Sequence, residues 1–193
     1  MDPVKLSTSH IKAFGLHRNS YGLLRLIFAL CLLLPSSILA EELLEYHVKA
    51  AYILNFTKFI DWPPEAFPQP DSPVEICILG EDPFRKSLYQ TVAGESVHGR
   101  QVTVRKISEI PPSKSCQTLF IGKTEKDVAK ILKALPPAIL TIGDSQTFIK
   151  DGGMIEFVIE NRHVRFVIRQ TAAESAGLKI SSRLLNVAKA VDK

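Results

Sequence analysis

The chain has 193 residues, 46% hydrophobic and 23% charged, a composition that suits one globular domain once any export segment is set aside. Its formal charge is +4, but residues 1–40 hold four basic residues and one acidic one, so the remainder carries 20 basic against 19 acidic residues, a balance of +1. A near-neutral domain has no electrostatic footprint for nucleic acid, and that class of partner is disfavoured.

At the amino end, Lys5, Lys12, Arg18 and Arg25 precede or enter the apolar run Leu26-Ile27-Phe28-Ala29-Leu30-Cys31-Leu32-Leu33-Leu34, which Pro35 ends before Ser36-Ser37-Ile38-Leu39-Ala40. The pattern predicts a cleavable signal peptide over residues 1–40, with cleavage near Ala40, and a single α/β domain over residues 41–193. A membrane anchor is the alternative, but it needs about 20 apolar residues and this run is shorter. Cys31 leaves with the leader. Cys77 and Cys116 then enter an oxidising compartment and are expected to form a disulfide, with two buried free thiols as the alternative.

Residues 45–61 read as an amphipathic helix whose stripe is Val48, Tyr52, Phe56, Phe59 and Ile60, with Lys49 and Lys58 off it. Trp62-Pro63-Pro64 stops it, and the proline-rich segment 63–73 is a loop. Val74-Glu75-Ile76-Cys77-Ile78-Leu79 is a strand. Asp82-Pro83 predicts a helix start with Asp82 as N-cap, running to about residue 91. A strand at 101–106 comes next, then one at 118–121, a helix over about 124–135 closed by Pro136-Pro137, and a strand at 138–142. Strands that alternate with helices and read as unbroken apolar runs predict a mostly parallel sheet with helices on both faces, Rossmann-like in class.

The segment 152–169 reads as an antiparallel hairpin at the edge of that sheet. Ile155, Phe157 and Ile159 alternate with Met154, Glu156 and Val158, and Val164, Phe166 and Ile168 alternate with polar neighbours. A corner at Asn161-Arg162 sets Ile159 opposite Val164, Phe157 opposite Phe166 and Ile155 opposite Ile168. The other face then carries Glu156 within diagonal reach of Arg165 and Arg169, with Met154, Val158 and Val167 as apolar surface that needs cover. Thr171-Ala172-Ala173-Glu174 has the form of a capping box, Gly177 breaks that piece, and Ser181 or Ser182 restarts a helix carrying Leu184, Leu185 and Val187.

Three strands end alike, in Gly80-Glu81-Asp82, Gly122-Lys123-Thr124 and Gly143-Asp144-Ser145. Carboxyl ends of parallel strands form the crevice where ligands bind, so Glu81, Asp82, Lys123, Thr124, Asp144 and Ser145 are candidates for a small-ligand pocket; ordinary turn and cap chemistry is the competing reading. Gly122-Lys123-Thr124 is no phosphate loop, because Gln117 stands where the motif requires glycine. His47, His98 and His163 are isolated from one another, no metal-ligand spacing occurs, and no nucleophile elbow is present. No catalytic residue, metal or cofactor is expected.

The hairpin and the C-terminal segment after it carry a resemblance. Gly152-Gly153-Met154-Ile155-Glu156-Phe157, then Val164-Arg165-Phe166, then Ala-Gly-Leu-Lys-Ile-Ser-Ser-Arg-Leu-Leu at 176–185 resemble the C-terminal signature of the YfiR family of periplasmic proteins. Lys-Ala-Ala-Tyr-Ile-Leu-Asn-Phe-Thr-Lys-Phe-Ile-Asp-Trp-Pro at 49–63 is similar to that family's opening helix. The resemblance implies a periplasmic, non-catalytic protein that binds and inhibits an inner-membrane diguanylate cyclase, modulating cyclic-di-GMP signalling and so biofilm formation; an outer-membrane lipoprotein is a possible further partner. It places the partner surface on Met154, Ile155, Phe157, Phe166, Ile168 and Leu184. A homodimer is a further possibility for a domain with an apolar edge. The rival is an exported small-ligand sensor that uses the strand ends.

Overall fold

Short β-branched runs, each punctuated by glycine or proline, form strands because alternate side chains can be buried on the two faces of one sheet. The computed structural model describes residues 36–192, with side chains from residue 41 onward. The leader read over residues 1–40 thus lies, apart from 36–40, outside the described residues. The chain divides into two units, Met1–Glu41 and Glu42–Lys193, and the sheets belong to the second.

Among the described residues a long helix, α1 (Ser36–Lys58), comes first. After it come β1 (Ile60–Asp61), a single 3-10 turn (Pro64–Ala66), β2 (Val74–Leu79), α2 (Ser87–Val92), β3 (Ser96–Val97) and β4 (Arg100–Ile107). The middle of the chain supplies β5 (Thr118–Ile121), α3 (Val128–Ala134) and β6 (Leu140–Gly143). The hairpin β7 (Ile155–Glu160) and β8 (His163–Arg169) leads to α4 (Gln170–Ser175), β9 (Lys179–Ile180), α5 (Ser182–Val187) and β10 (Ala190–Asp192). Eight strands form one sheet in the order β10-β8-β7-β6-β5-β2-β4-β3, parallel from β7 through β4, while β1 and β9 make a separate two-stranded ribbon. This is the mostly parallel α/β architecture expected, and the hairpin register is Ile155 to Ile168, Phe157 to Phe166 and Ile159 to Val164.

Period-two alternation divides the core. Ile76, Ile78, Phe120, Leu140 and Ile142 face α1, whose Ala50, Ile53 and Phe56 pack on them together with Leu88 of α2 and Leu184 of α5. Cys77, Leu79, Leu119 and Ile121 face the other way, toward Val128 of α3 and Phe148. The second cluster also holds the Cys77–Cys116 disulfide, with partners 39 residues apart in sequence. Gln117, the residue that spoils the phosphate-loop pattern, is a buried tie. Its Nε2 donates to the Ala66 carbonyl (2.8 Å), its Oε1 accepts from the Glu75 amide (2.8 Å), and its carbonyl accepts from Trp62 Nε1 (3.1 Å).

Several local expectations change. The buried stripe of α1 is Tyr46, Ala50, Ile53, Leu54 and Phe56; Val48 is exposed and Lys49 is buried, so the stripe is rotated from the expected one. Lys49 tolerates this position because two carboxylates meet it there. Asp82 does not cap α2, which begins at Ser87; its Oδ1 accepts from the Phe84 amide (2.9 Å) in a tight turn, and Arg85 at φ 56° prevents an earlier start. Likewise Asp127 at φ 55° delays α3 to Val128. The capping box at Thr171 does not form, because α4 begins one residue earlier and Glu174 accepts from Gln170 Nε2 (2.8 Å). Ser181 does cap α5, accepting from the Arg183 amide.

Candidate functional site

In the parallel registers Leu79 lies beside Ile121, and Ile121 beside Gly143, so the three glycine-ended strands finish on one edge. α1 runs past that edge and changes what its residues can do. Asp144 Oδ2 accepts from the Tyr46 hydroxyl (2.7 Å) and from Lys49 Nζ (2.9 Å), and Lys49 also pairs with Glu45 one helical turn earlier (2.5 Å). The Lys49 ammonium lies 4.4 Å from the centroid of the Tyr46 ring. The Asp144 side chain is 1% exposed and that of Lys49 4%, so the pair is desolvated on both sides. Burial, then the neighbouring Asp144 carboxylate, pushes the Tyr46 phenol well above its ordinary value. Asp144 is therefore a helix anchor in this fold.

The remaining residues of the expected pocket stay on the edge but do not converge with it. Lys123 reaches Glu42 (3.2 Å) in an exposed pair, Asp82 serves its own turn, and Glu81 is exposed. Asp144 Oδ1 and Ser145 Oγ are buried without a protein partner among the described residues. Tyr46, Glu45 and Lys49 are the members of this cluster that periodicity missed. The available signal was a Glu-Lys pair at i and i+4 with its lysine flanked by Val48 and by Ala50 and Ala51.

The second candidate, the hairpin surface, is corrected in its residues. Met154, Ile155, Phe157, Phe166, Ile168 and Leu184 are all buried within the chain's own core. The cover is aromatic packing from α1: Phe56 meets Phe166 at 4.8 Å and Phe157 at 5.7 Å between centroids, and Tyr52 meets Phe166 at 5.4 Å. The opposite face is partly closed too. Glu156, expected to face Arg165 and Arg169, is 9% exposed and accepts from the Ile149 amide (2.9 Å), while Arg169 Nη1 donates to the Ile149 carbonyl (3.2 Å). That clamp holds the segment carrying Phe148, whose ring fills the space left by two absent side chains. A Cβ at Gly143 or at Gly153 would fall 2.2 Å from Phe148 ring atoms.

What remains exposed is the outer skin of the same region. Ile159 at the hairpin tip is 53% exposed and Val187 at the end of α5 is 61% exposed. The hairpin is tied to the segment after α5 by a Glu160–Lys189 ion pair (2.7 Å) and by the Lys189 amide donating to the Phe166 carbonyl (2.8 Å). The Lys189 ammonium holds Glu160 below the usual carboxylate range. A separate groove of about 760 Å³, where β8 runs into α4 beside α5, is lined by Gln170, Thr171, Glu174, Ser182, Leu185 and Val191. Among the described residues, no helix is long and apolar enough to cross a membrane, and no group of three metal-ligating side chains occurs.

A solved conserved domain protein from Vibrio cholerae O1 biovar El Tor shares 12% identity at a TM-score of 0.49, over 74% of this chain and 60% of that one. The ABC domain in complex with L-Trp from Streptococcus pneumonia shares 13% identity at a TM-score of 0.42, over 61% of this chain and 55% of that one. The chain thus spans less than two thirds of either structure. Curated proteins gave no significant match. The family model described as YfiR/HmsC-like matches residues 46–189, from Tyr46 of the anchor to Lys189 of the hairpin ion pair. The chain belongs to the YfiR/HmsC-like family.

Proposed function

We propose that this chain is an exported, non-catalytic regulator that works in the periplasm by binding an inner-membrane diguanylate cyclase and holding it inactive. The observation that carries the reading is the YfiR/HmsC-like match across residues 46–189, since YfiR-like proteins are periplasmic regulators of diguanylate cyclase signalling. The surface we assign to the partner is the skin around Ile159 and Val187, supported from below by Phe157, Phe166 and Leu184. Exposed apolar side chains with an ion pair close by fit an association site.

The test is capture from detergent-solubilised membranes of the source cell under non-reducing conditions. The wild-type protein is expected to retain a diguanylate cyclase, and Ile159→Asp with Val187→Asp is expected to lose it without a change in melting temperature. Recovery of no cyclase would sink the function. Undiminished capture by the double variant would sink the surface.

A further inference from the structure

β7 and β8 outrun the sheet they belong to. Among the described residues β6 pairs with β7 only at Ile155 and Glu156, and β10 pairs with β8 from Val167 to Arg169. The hairpin continues past both, from Phe157 round to Phe166, where the Lys189 amide donates to the Phe166 carbonyl. At about 3.3 Å per residue, the step from the Glu156–Val167 pair to the Glu160–His163 pair carries the tip about 13 Å beyond its neighbours. The arm is stiff for its length. Asn161 (φ 50°) and Arg162 (φ 63°) close it as a two-residue turn with both residues left-handed, the geometry that matches the twist of paired strands. Phe157 and Phe166 at its root pack on Tyr52 and Phe56 of α1.

Its charge is one-sided. The arm holds one carboxylate, Glu160, which Lys189 meets at 2.7 Å with Arg165 also within electrostatic reach. Arg162 and Arg165 are exposed, and neither forms a close ion pair among the described residues. Apolar surface accompanies the positive charge. Alternation sets Ile159 and Val164 on the face toward α1, and Val158 with its register partner Arg165 on the opposite face. Ile159 is exposed and Val158 half-buried, so each face of the arm offers an aliphatic side chain to whatever lies against it.

We propose that this arm inserts into a cleft of its protein partner whose walls carry carboxylates, with Ile159 against one wall, Arg165 against the other and Arg162 leading. The inference rests on the regulator reading above and names the chemistry that the partner presents. Two such arms would set arginine against arginine, a repulsion that selects an acidic partner over a second copy.

The experiment follows association of the detergent-solubilised cyclase, recovered by the capture described above, with the immobilised wild-type protein and its variants. Association is expected to slow several-fold as salt rises from about 50 to 500 mM. Arg162→Asn with Arg165→Gln, asparagine being compatible with a left-handed backbone, is expected to slow it about tenfold at low salt and to remove most of the salt dependence, with the melting temperature unchanged. Ile159→Asp and Arg165→Glu, on opposite faces, are each expected to weaken capture alone. A salt-insensitive rate, a wild-type rate in the double variant, or an effect confined to one face overturns the cleft and leaves the function standing. Sedimentation with phosphatidylglycerol vesicles is expected to leave the protein in solution; pelleting that depends on Arg162 and Arg165 would give the arm to a membrane surface and overturn the cleft as well. Recovery of no cyclase refutes the function, and the cleft with it.

Discussion

Replacing Lys49 by methionine tests the helix anchor most directly. The side chains are similar in volume, so packing against Tyr46 is largely kept and the change removes one ammonium. The charge left behind decides the cost. Glu45, whose side chain is 28% exposed, can turn to solvent, but Asp144 at 1% exposed is left with only the Tyr46 hydroxyl to serve it. Removing one partner of a buried pair costs about 3–5 kcal/mol, most of it the penalty of the stranded charge. Asp144→Asn leaves Lys49 paired with Glu45, and the expected cost is nearer 1–3 kcal/mol, about that of an altered buried hydrogen bond. The double variant Lys49→Met, Asp144→Leu strands neither charge and is expected to cost less than Lys49→Met alone. Urea unfolding of residues 41–193 with the disulfide intact reads these as shifts in midpoint at constant slope. A loss below about 1 kcal/mol for Lys49→Met, or a double variant that costs the sum of the singles, would refute the reasoning.

Other consequences arise from the same packing. Gly153→Ala puts a Cβ against the Phe148 ring and is expected to destabilise by about 1–3 kcal/mol, with Phe148→Leu partly relieving it in a double-variant unfolding series. Replacing both Cys77 and Cys116 by serine opens a loop spanning 39 residues in sequence, and the chain-entropy model gives a loss of about 4 kcal/mol, read in the same denaturation assay. The Tyr46 phenol is raised by burial and by Asp144, so the folded state keeps its proton after the unfolded chain has lost it. Its contribution is therefore complete below the ordinary phenol value of about 10 and falls as pH rises past it; Tyr46→Phe is expected to flatten that alkaline decline in an unfolding-midpoint profile from about pH 8 to 11.

The elements that were legible in the chain are those whose signals are local. The apolar runs at 74–79 and 118–121, the hairpin register set by its Asn161-Arg162 corner, and the Ser181 cap all rest on period, turn chemistry or a single hydroxyl, and the structure has them where those signals point. The rotation of α1 was not legible, because a lysine reads as solvent-facing until the carboxylate 95 residues away is known to meet it. The two-residue strands β1 and β9 and the terminal β10 carry no period of their own and exist because a neighbouring backbone offers hydrogen bonds. Arg85 and Asp127 show the same limit from the other side. Each adopts a left-handed backbone, which arginine disfavours and aspartate tolerates better, and so each delays a helix whose sequence invites an earlier start.

The apolar hairpin illustrates how such a limit shapes a functional argument. Period marks Phe157 and Phe166 as one apolar face of the hairpin, and the family resemblance places a partner on it. α1 covers it first, through Tyr52 and Phe56, since a helix of the same chain loses no association entropy. The surface proposed for the partner therefore uses side chains that remain outside after this packing, Ile159 and Val187 near the Glu160–Lys189 pair. On this reasoning, substitutions at the buried aromatics lower stability and partner capture together, whereas substitutions at Ile159 and Val187 separate the two. A variant series measured for both melting temperature and cyclase capture would show that separation, and loss of capture that tracks melting temperature at every position would place recognition elsewhere.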